Sequence, residues 1–127
     1  MQMTPDKKKN KLYIVVPCYN EEQVLGETSK RLKIKCENLI QKGQISKDSK
    51  IVFVDDGSKD RTWKMISELH EKDSLFSGVK LSRNRGHQNA LLAGLTMASE
   101  HADMAISMDA DLQDDINAVD QMIEKYY

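Results

Sequence analysis

The segment Met108-Asp109-Ala110-Asp111-Leu112-Gln113-Asp114 follows a short, largely apolar run from Ala102 to Ser107. Side chains alternate in direction along an extended segment, so Asp109 and Asp111 share one side and small Ala110 takes the other. Two carboxylates at the mouth of a strand offer hard oxygen ligands to a divalent cation, and that cation can neutralise a diphosphate. A solvated acidic turn is the ordinary meaning of a lone D-x-D. The polar clusters upstream argue against it here.

Asp55-Asp56-Gly57-Ser58 is the second cluster. Adjacent residues face opposite ways, so one of the two aspartates points easily into a cleft, where it can accept the N–H of a uracil or guanine edge. A turn aspartate capping the next helix is an equal alternative. In Pro17-Cys18-Tyr19-Asn20-Glu21, the Tyr19 ring can lie along a base, and Glu21 can accept from base or ribose. Each also has a plainer role, as a half-buried core aromatic and as a first-turn helix charge facing the macrodipole. Cys18 reads as a packing residue, because no base stands beside it. Arg83-Asn84-Arg85-Gly86-His87-Gln88 precedes a helix start. Guanidinium groups and free amides there suit phosphate oxygens, against a solvated loop with one arginine paired to an aspartate. His87 reads as polar surface rather than a base. Gln113 and Asp114 reach the sugar or extend the metal shell, or Asp114 or Asp115 simply caps a helix. Neither a G-x-G-x-x-G nor a P-loop motif occurs, which leaves phosphate chemistry to metal and arginine.

Four strand–helix pairs position these clusters. Leu12 to Pro17 is a β-branched run ending at proline. Asn20, with Gln23 as box partner, is the expected cap of a helix burying Leu25, Thr28, Leu32, Cys36 and Leu39, with Gly43 as its stop. Lys50 to Asp55 is a continuous apolar strand suited to cover on both faces. Ser58 or Asp60 then caps a helix turning Trp63, Ile66 and Leu69 inward. Gly78 to Ser82 is a short third strand. Ala90 to Glu100 is a helix whose small residues allow close packing on a sheet. The fourth strand runs to Met108, and Ile116, Val119 and Ile123 mark a last helix. Alternating strands and helices without hairpin signals predict an α/β fold, a parallel Rossmann-like sheet with helices on both faces. Ligands in such sheets bind beyond the carboxyl ends of the strands, where all four clusters fall.

With 127 residues the chain has room for one domain and a modest core. With a net charge of -1, nothing suggests a nucleic-acid footprint or a strongly basic membrane surface. Residues 1–11, with their lysine cluster, read as a flexible polar tail, and 12–127 as the folded domain. Cys18 and Cys36 lack metal-ligand spacing, and reduced thiols in the cytoplasm are the default. The polar N-terminus is no signal peptide, and no apolar run approaches the ~18–20 residues that span a bilayer. A soluble protein is expected.

Taken together, Val16 to Glu22, Val54 to Asp60, Leu81 to Gln88 and Met108 to Asp114 resemble family 2 glycosyltransferases, most closely the dolichol- or polyprenyl-phosphate sugar transferases. The resemblance runs from Leu12 to the C-terminus with the motifs in the family's order. It implies the nucleotide-binding half of a GT-A fold and inversion at the anomeric carbon. It also implies nucleoside contacts from Pro17, Tyr19 and Glu21, and base binding by Asp56 with Asp55 supporting. Arg83 or Arg85 would lie near base or phosphate, Asp109 by ribose, sugar or metal, and Asp111 on Mg²⁺ or Mn²⁺. Asp115-Ile116 stands where such proteins usually continue with prolines, which leaves the loop's path open.

The resemblance implies transfer of a hexose-type sugar from a UDP- or GDP-sugar to a polyprenyl-phosphate acceptor, at the cytoplasmic face of a membrane and in service of the cell envelope. This chain is then the donor-binding part, with the catalytic residues unknown and expected beyond Tyr127, and the isolated chain inactive. A partial sheet would expose apolar surface, so a homo-oligomer is expected. The alternatives are a catalytically dead nucleotide-binding fragment and a receiver-type signalling domain. In the latter the acidic pair follows the first strand, whereas here that strand ends in Pro-Cys-Tyr-Asn. A D-x-D phosphatase carries its motif after the first strand of its fold, not the fourth.

Overall fold

The computed structural model of the protein describes residues 10–111 and 116–127. The elements alternate: β1 (Leu12–Cys18), α1 (Leu25–Gln41), β2 (Lys50–Asp55), α2 (Thr62–Lys72), β3 (Phe76–Lys80), α3 (His87–Ser99), β4 (Met104–Ser107) and α4 (Ala118–Tyr126). The four strands form one parallel sheet in the order β3-β2-β1-β4. Register pairs Ile14 with Ile51 on one side of β1 and with Ile106 on the other.

β1 is buried along its whole length because helices cover both faces of the sheet. Leu12, Ile14, Val16, Ile51 and Phe53 turn to the face covered by α1, α2 and α4, where Leu32, Ile66, Val119 and Ile123 meet them. Val15, Val52 and Val54 turn to α3, through Ala90 and Ala98. This division follows from handedness. The β1–β2 and β2–β3 crossovers step one way across the sheet, and β3–β4 steps back, so right-handed connections put α3 on the opposite face. α3 lies close because Gly94 faces the strands. A Cβ there would stand 2.4 Å from Val15 Cγ1 and 2.8 Å from Val54 Cγ2.

The α1 periodicity read from sequence holds: Leu25, Thr28, Leu32, Cys36 and Leu39 are all buried. Gly43 ends the helix with φ 70°, its amide donating to the Ile40 carbonyl. The start of α1 differs from expectation. Its N-cap is Val24, without a side-chain cap, and Asn20 lies in a left-handed turn (φ 52°) before it. β3 begins and ends two residues earlier than the sequence suggested, and α3 begins at His87 rather than Ala90. β4 ends at Ser107, so Asp109 and Asp111 stand in the turn beyond the strand. The tail over residues 1–9, and Gln113, Asp114 and Asp115 with their sugar, metal-shell and capping roles, lie outside the described residues.

Candidate functional site

The strand order reverses direction at β1, between β2 and β4, and a crevice opens there at the carboxyl ends of the strands. A cavity of about 330 Å³ occupies it. Pro17, Tyr19 and Glu21 come from the end of β1, Asp56 from β2, Asn84, Gly86 and His87 from the loop into α3, and Asp109 and Asp111 from beyond β4. All four polar clusters therefore reach one rim.

The loops hold each other in place. After β1, the Asn20 amide donates to Ser58 Oγ at 2.9 Å, and Asn20 Oδ1 accepts the Lys59 amide at 2.9 Å. The Glu21 amide donates to Thr62 Oγ1 at 2.8 Å, and Glu22 to Asp60 Oδ2 at 3.3 Å. Asp60 Oδ1 in turn accepts both the amide and the hydroxyl of Thr62. Ser58, Asp60 and Thr62 thus bind the β1 loop to the start of α2, and the capping expected of Asn20 and Ser58 gives way to this cross-loop pairing. Tyr19 is left 40% exposed at the cavity, rather than half-buried in the core.

On the β4 side, the buried hydroxyl of Thr28 in α1 donates to the carbonyl of Ala110. Ala110 is tucked under α1, and half-buried Asp109 and exposed Asp111 face the cavity around it. Burial, followed by the negative charges of Asp111, Asp60 and Asp109, raises the Glu21 carboxyl above its usual range. The site is therefore an acidic concavity with crowded negative charge.

Asp55, Arg83 and Arg85, also singled out from sequence, stand apart from the cavity wall. Asp55 is wholly buried and continues the Ile51 and Phe53 side of β2. Its Oδ1 accepts the Ser58 amide at 3.3 Å, and its Oδ2 has no hydrogen-bond partner among the described residues. Arg83 and Arg85 are exposed and lie outside the wall, while their neighbours Asn84, Gly86 and His87 form it. The sequence offered one signal for this, the positive-φ glycine before a helix: Gly86 has φ 94° and turns the chain into α3. The Cys18 thiol is buried, with its pKa raised by burial and then by Glu21 and Asp55, and burial pushes that of Cys36 up to about 12. Both fit packing roles.

The family model of glycosyl transferase family 2 matches residues 13–127. The chain belongs to that family. It is 52% identical over 116 residues to the uncharacterized glycosyltransferase YkoT of Bacillus subtilis (strain 168), covering 91% of this chain and 34% of that protein. It is 35% identical over 124 residues to the undecaprenyl-phosphate 4-deoxy-4-formamido-L-arabinose transferase of Enterobacter sp. (strain 638), covering 97% of this chain and 36% of that one. The chain thus spans about a third of the length of these curated relatives. Its fold is shared with the mannosyltransferase PcManGT of Pyrobaculum calidifontis, solved with GDP-Man and Mn²⁺ (TM-score 0.61, 24% identity, 85% of this chain and 30% of that one). S. aureus TarS shares it as well (TM-score 0.64, 21% identity, 91% and 20%). The parallel sheet with its helices is thereby a GT-A fold.

No helix among the described residues is long and apolar enough to cross a membrane. Nor does any group of three or more His, Cys, Asp and Glu among them converge as a ready metal cage. Asp109 and Asp111 nonetheless fit a divalent cation of the Mg²⁺ kind, which binds through one or two carboxylates and completes its shell with water and substrate phosphate. The charge crowding that raises Glu21 is of the sign such a cation relieves.

Proposed function

We propose that this family 2 glycosyltransferase chain is the donor-binding portion of an inverting, metal-dependent enzyme that moves a sugar from a UDP- or GDP-sugar to a polyprenyl phosphate. The observation that carries the reading is the convergence of Tyr19, Glu21, Asp56, Asp109 and Asp111 on one crevice at the switch point of the sheet. The polyprenyl-phosphate acceptor is supported by the undecaprenyl-phosphate transferase among the relatives. A nucleotide-sugar donor with Mn²⁺ is supported by the composition of the PcManGT complex.

Within this reading Pro17 and Tyr19 flank the nucleoside, and Glu21 accepts from base or ribose. The α3 N-terminus at Gly86 and His87 turns its positive dipole end toward the diphosphate, with Arg83 and Arg85 adding charge from outside the wall. A cation held by Asp109 and Asp111 would neutralise charge on the leaving diphosphate. A phosphate acceptor is already anionic, so the donor half needs no strong base of its own. The task of these residues is to hold the donor and orient its anomeric carbon toward the acceptor.

The test is calorimetric titration of the chain with UDP, GDP and their sugars, with and without Mn²⁺. Binding strengthened by Mn²⁺ and lost in Asp109→Asn and Asp111→Asn supports the reading. Metal-independent binding, or none, overturns the role given to the two carboxylates.

A further inference from the structure

We infer that Asp56 is a positioning residue as well as part of the cavity wall: its carboxylate clamps the backbone of the loop that enters α3, and through that loop it acts on nucleotide binding whatever the base. The functional half of this inference rests on the nucleotide-site reading above. Asp56 Oδ1 accepts the Arg85 amide at 2.7 Å, and Oδ2 accepts the Gly86 amide at 3.1 Å. Each oxygen of one side chain thus accepts one of two consecutive backbone donors some thirty residues downstream, and the Gly86 amide is shared with Asn84 Oδ1 at 3.0 Å. The Asp56 amide itself donates to the Cys18 carbonyl at 2.8 Å, so the residue ties the end of β1 to the loop after β3. It is only 3% exposed.

A second contact fixes the same loop. Gly57 has φ +72°, and a Cβ on it would lie 2.4 Å from the Asn84 nitrogen and 2.5 Å from the Arg83 carbonyl carbon. The loop backbone therefore rests directly on Gly57 while the Asp56 carboxylate grips the next two amides. Hydrogen bonds to an ionised acceptor are the short, strong kind. The clamp sets where Gly86 and His87 stand, and these form one wall of the cavity. Of the paired aspartates, one is buried in the sheet and the other is engaged with backbone, which makes the pair a hinge pin for the site.

The experiment compares wild type, Asp56→Asn and Asp56→Ala by amide hydrogen exchange and by titration with UDP, GDP and CDP. Uracil and guanine present a ring N–H to a carboxylate and cytosine does not, so CDP separates base reading from loop positioning. Exchange at the Arg85 amide is expected to accelerate about tenfold or more in Asp56→Ala, and at the Gly86 amide, which keeps Asn84 Oδ1, by less. Asp56→Asn keeps one acceptor oxygen and should release only one of them. Affinity for CDP should fall along with that for UDP and GDP. Unchanged protection of both amides overturns the clamp, and so does a loss confined to UDP and GDP. If the wild type binds no nucleotide, the proposed function fails, while the exchange rates alone still decide whether Asp56 holds the loop. Should Asp56→Ala not fold, Asp56→Asn decides by the same readouts.

Discussion

The hydroxyl of Thr28, buried in the second turn of α1, donates to the main-chain carbonyl of Ala110, 82 residues away. This bond seats the turn that carries Asp109 and Asp111 against the body of the domain. Thr28→Val keeps the shape and removes the donor, leaving a buried carbonyl unpaired at a cost of about 1–3 kcal/mol. Urea unfolding should show that loss. The Mn²⁺-dependent part of nucleotide binding should weaken while any metal-free binding stays.

Thr62 plays the matching part on the other side of the crevice. Its hydroxyl accepts the Glu21 amide and donates to Asp60 Oδ1. Thr62→Val should destabilise the fold by about 1–2 kcal/mol and loosen the Tyr19–Glu22 loop. Faster amide exchange at Glu21, with weaker nucleotide affinity, is the outcome to measure.

Glu21 gives the chain a pH signature. Its carboxyl is raised above 4.5 by burial, then by Asp111, Asp60 and Asp109. The folded state therefore holds this proton more tightly than the unfolded state, and stability falls as pH rises from 4.5 through the folded value. Below that window both states are protonated and the penalty vanishes. Glu21→Gln should be more stable than wild type at about pH 7 and similar to it at about pH 3, by denaturant unfolding at both. The same variant should bind nucleotide less well, an exchange of function for stability.

Gly94 tests the packing that brings α3 to the site. A methyl there meets Val15 and Val54 at distances no ordinary contact allows. Gly94→Ala should cost about 1–3 kcal/mol through overpacking, despite the better helix propensity of alanine. Thermal unfolding checks the sign: a net stabilisation would mean that α3 sits farther from the sheet.

The isolated chain should show little or no turnover of UDP- or GDP-sugar, because it spans only about a third of the length of its curated relatives. A coupled assay for released UDP or GDP measures this directly.

Much of this was legible in the residues. The uninterrupted runs Leu12–Pro17 and Lys50–Asp55 announce central strands, because strands covered on both faces have no polar side to alternate with. The apolar spacing in α1 named its buried face. The placement of Tyr19, Glu21, Asp109 and Asp111 on one rim followed from strand ends alone. What sequence could not give were the bonds between loops. Asn20 has the residue type of a cap, yet its turn pairs with Ser58 and Lys59, some 38 residues on, which leaves no local pattern. Arg83 and Arg85 drew attention by charge, whereas the wall is made by the quieter Asn84, Gly86 and His87, placed by the Asp56 clamp. β3 was misplaced by two residues because its exposed Lys80 end and its Phe76 start do not alternate cleanly.

Calorimetric titration of GDP and UDP into the chain, with Mn²⁺ and then with chelator, tests the central claim most directly. Saturable binding at a single site that strengthens with Mn²⁺, and loses that gain in Asp111→Asn, is the predicted result. Equal binding with and without metal, or no binding of either nucleotide, would contradict the account.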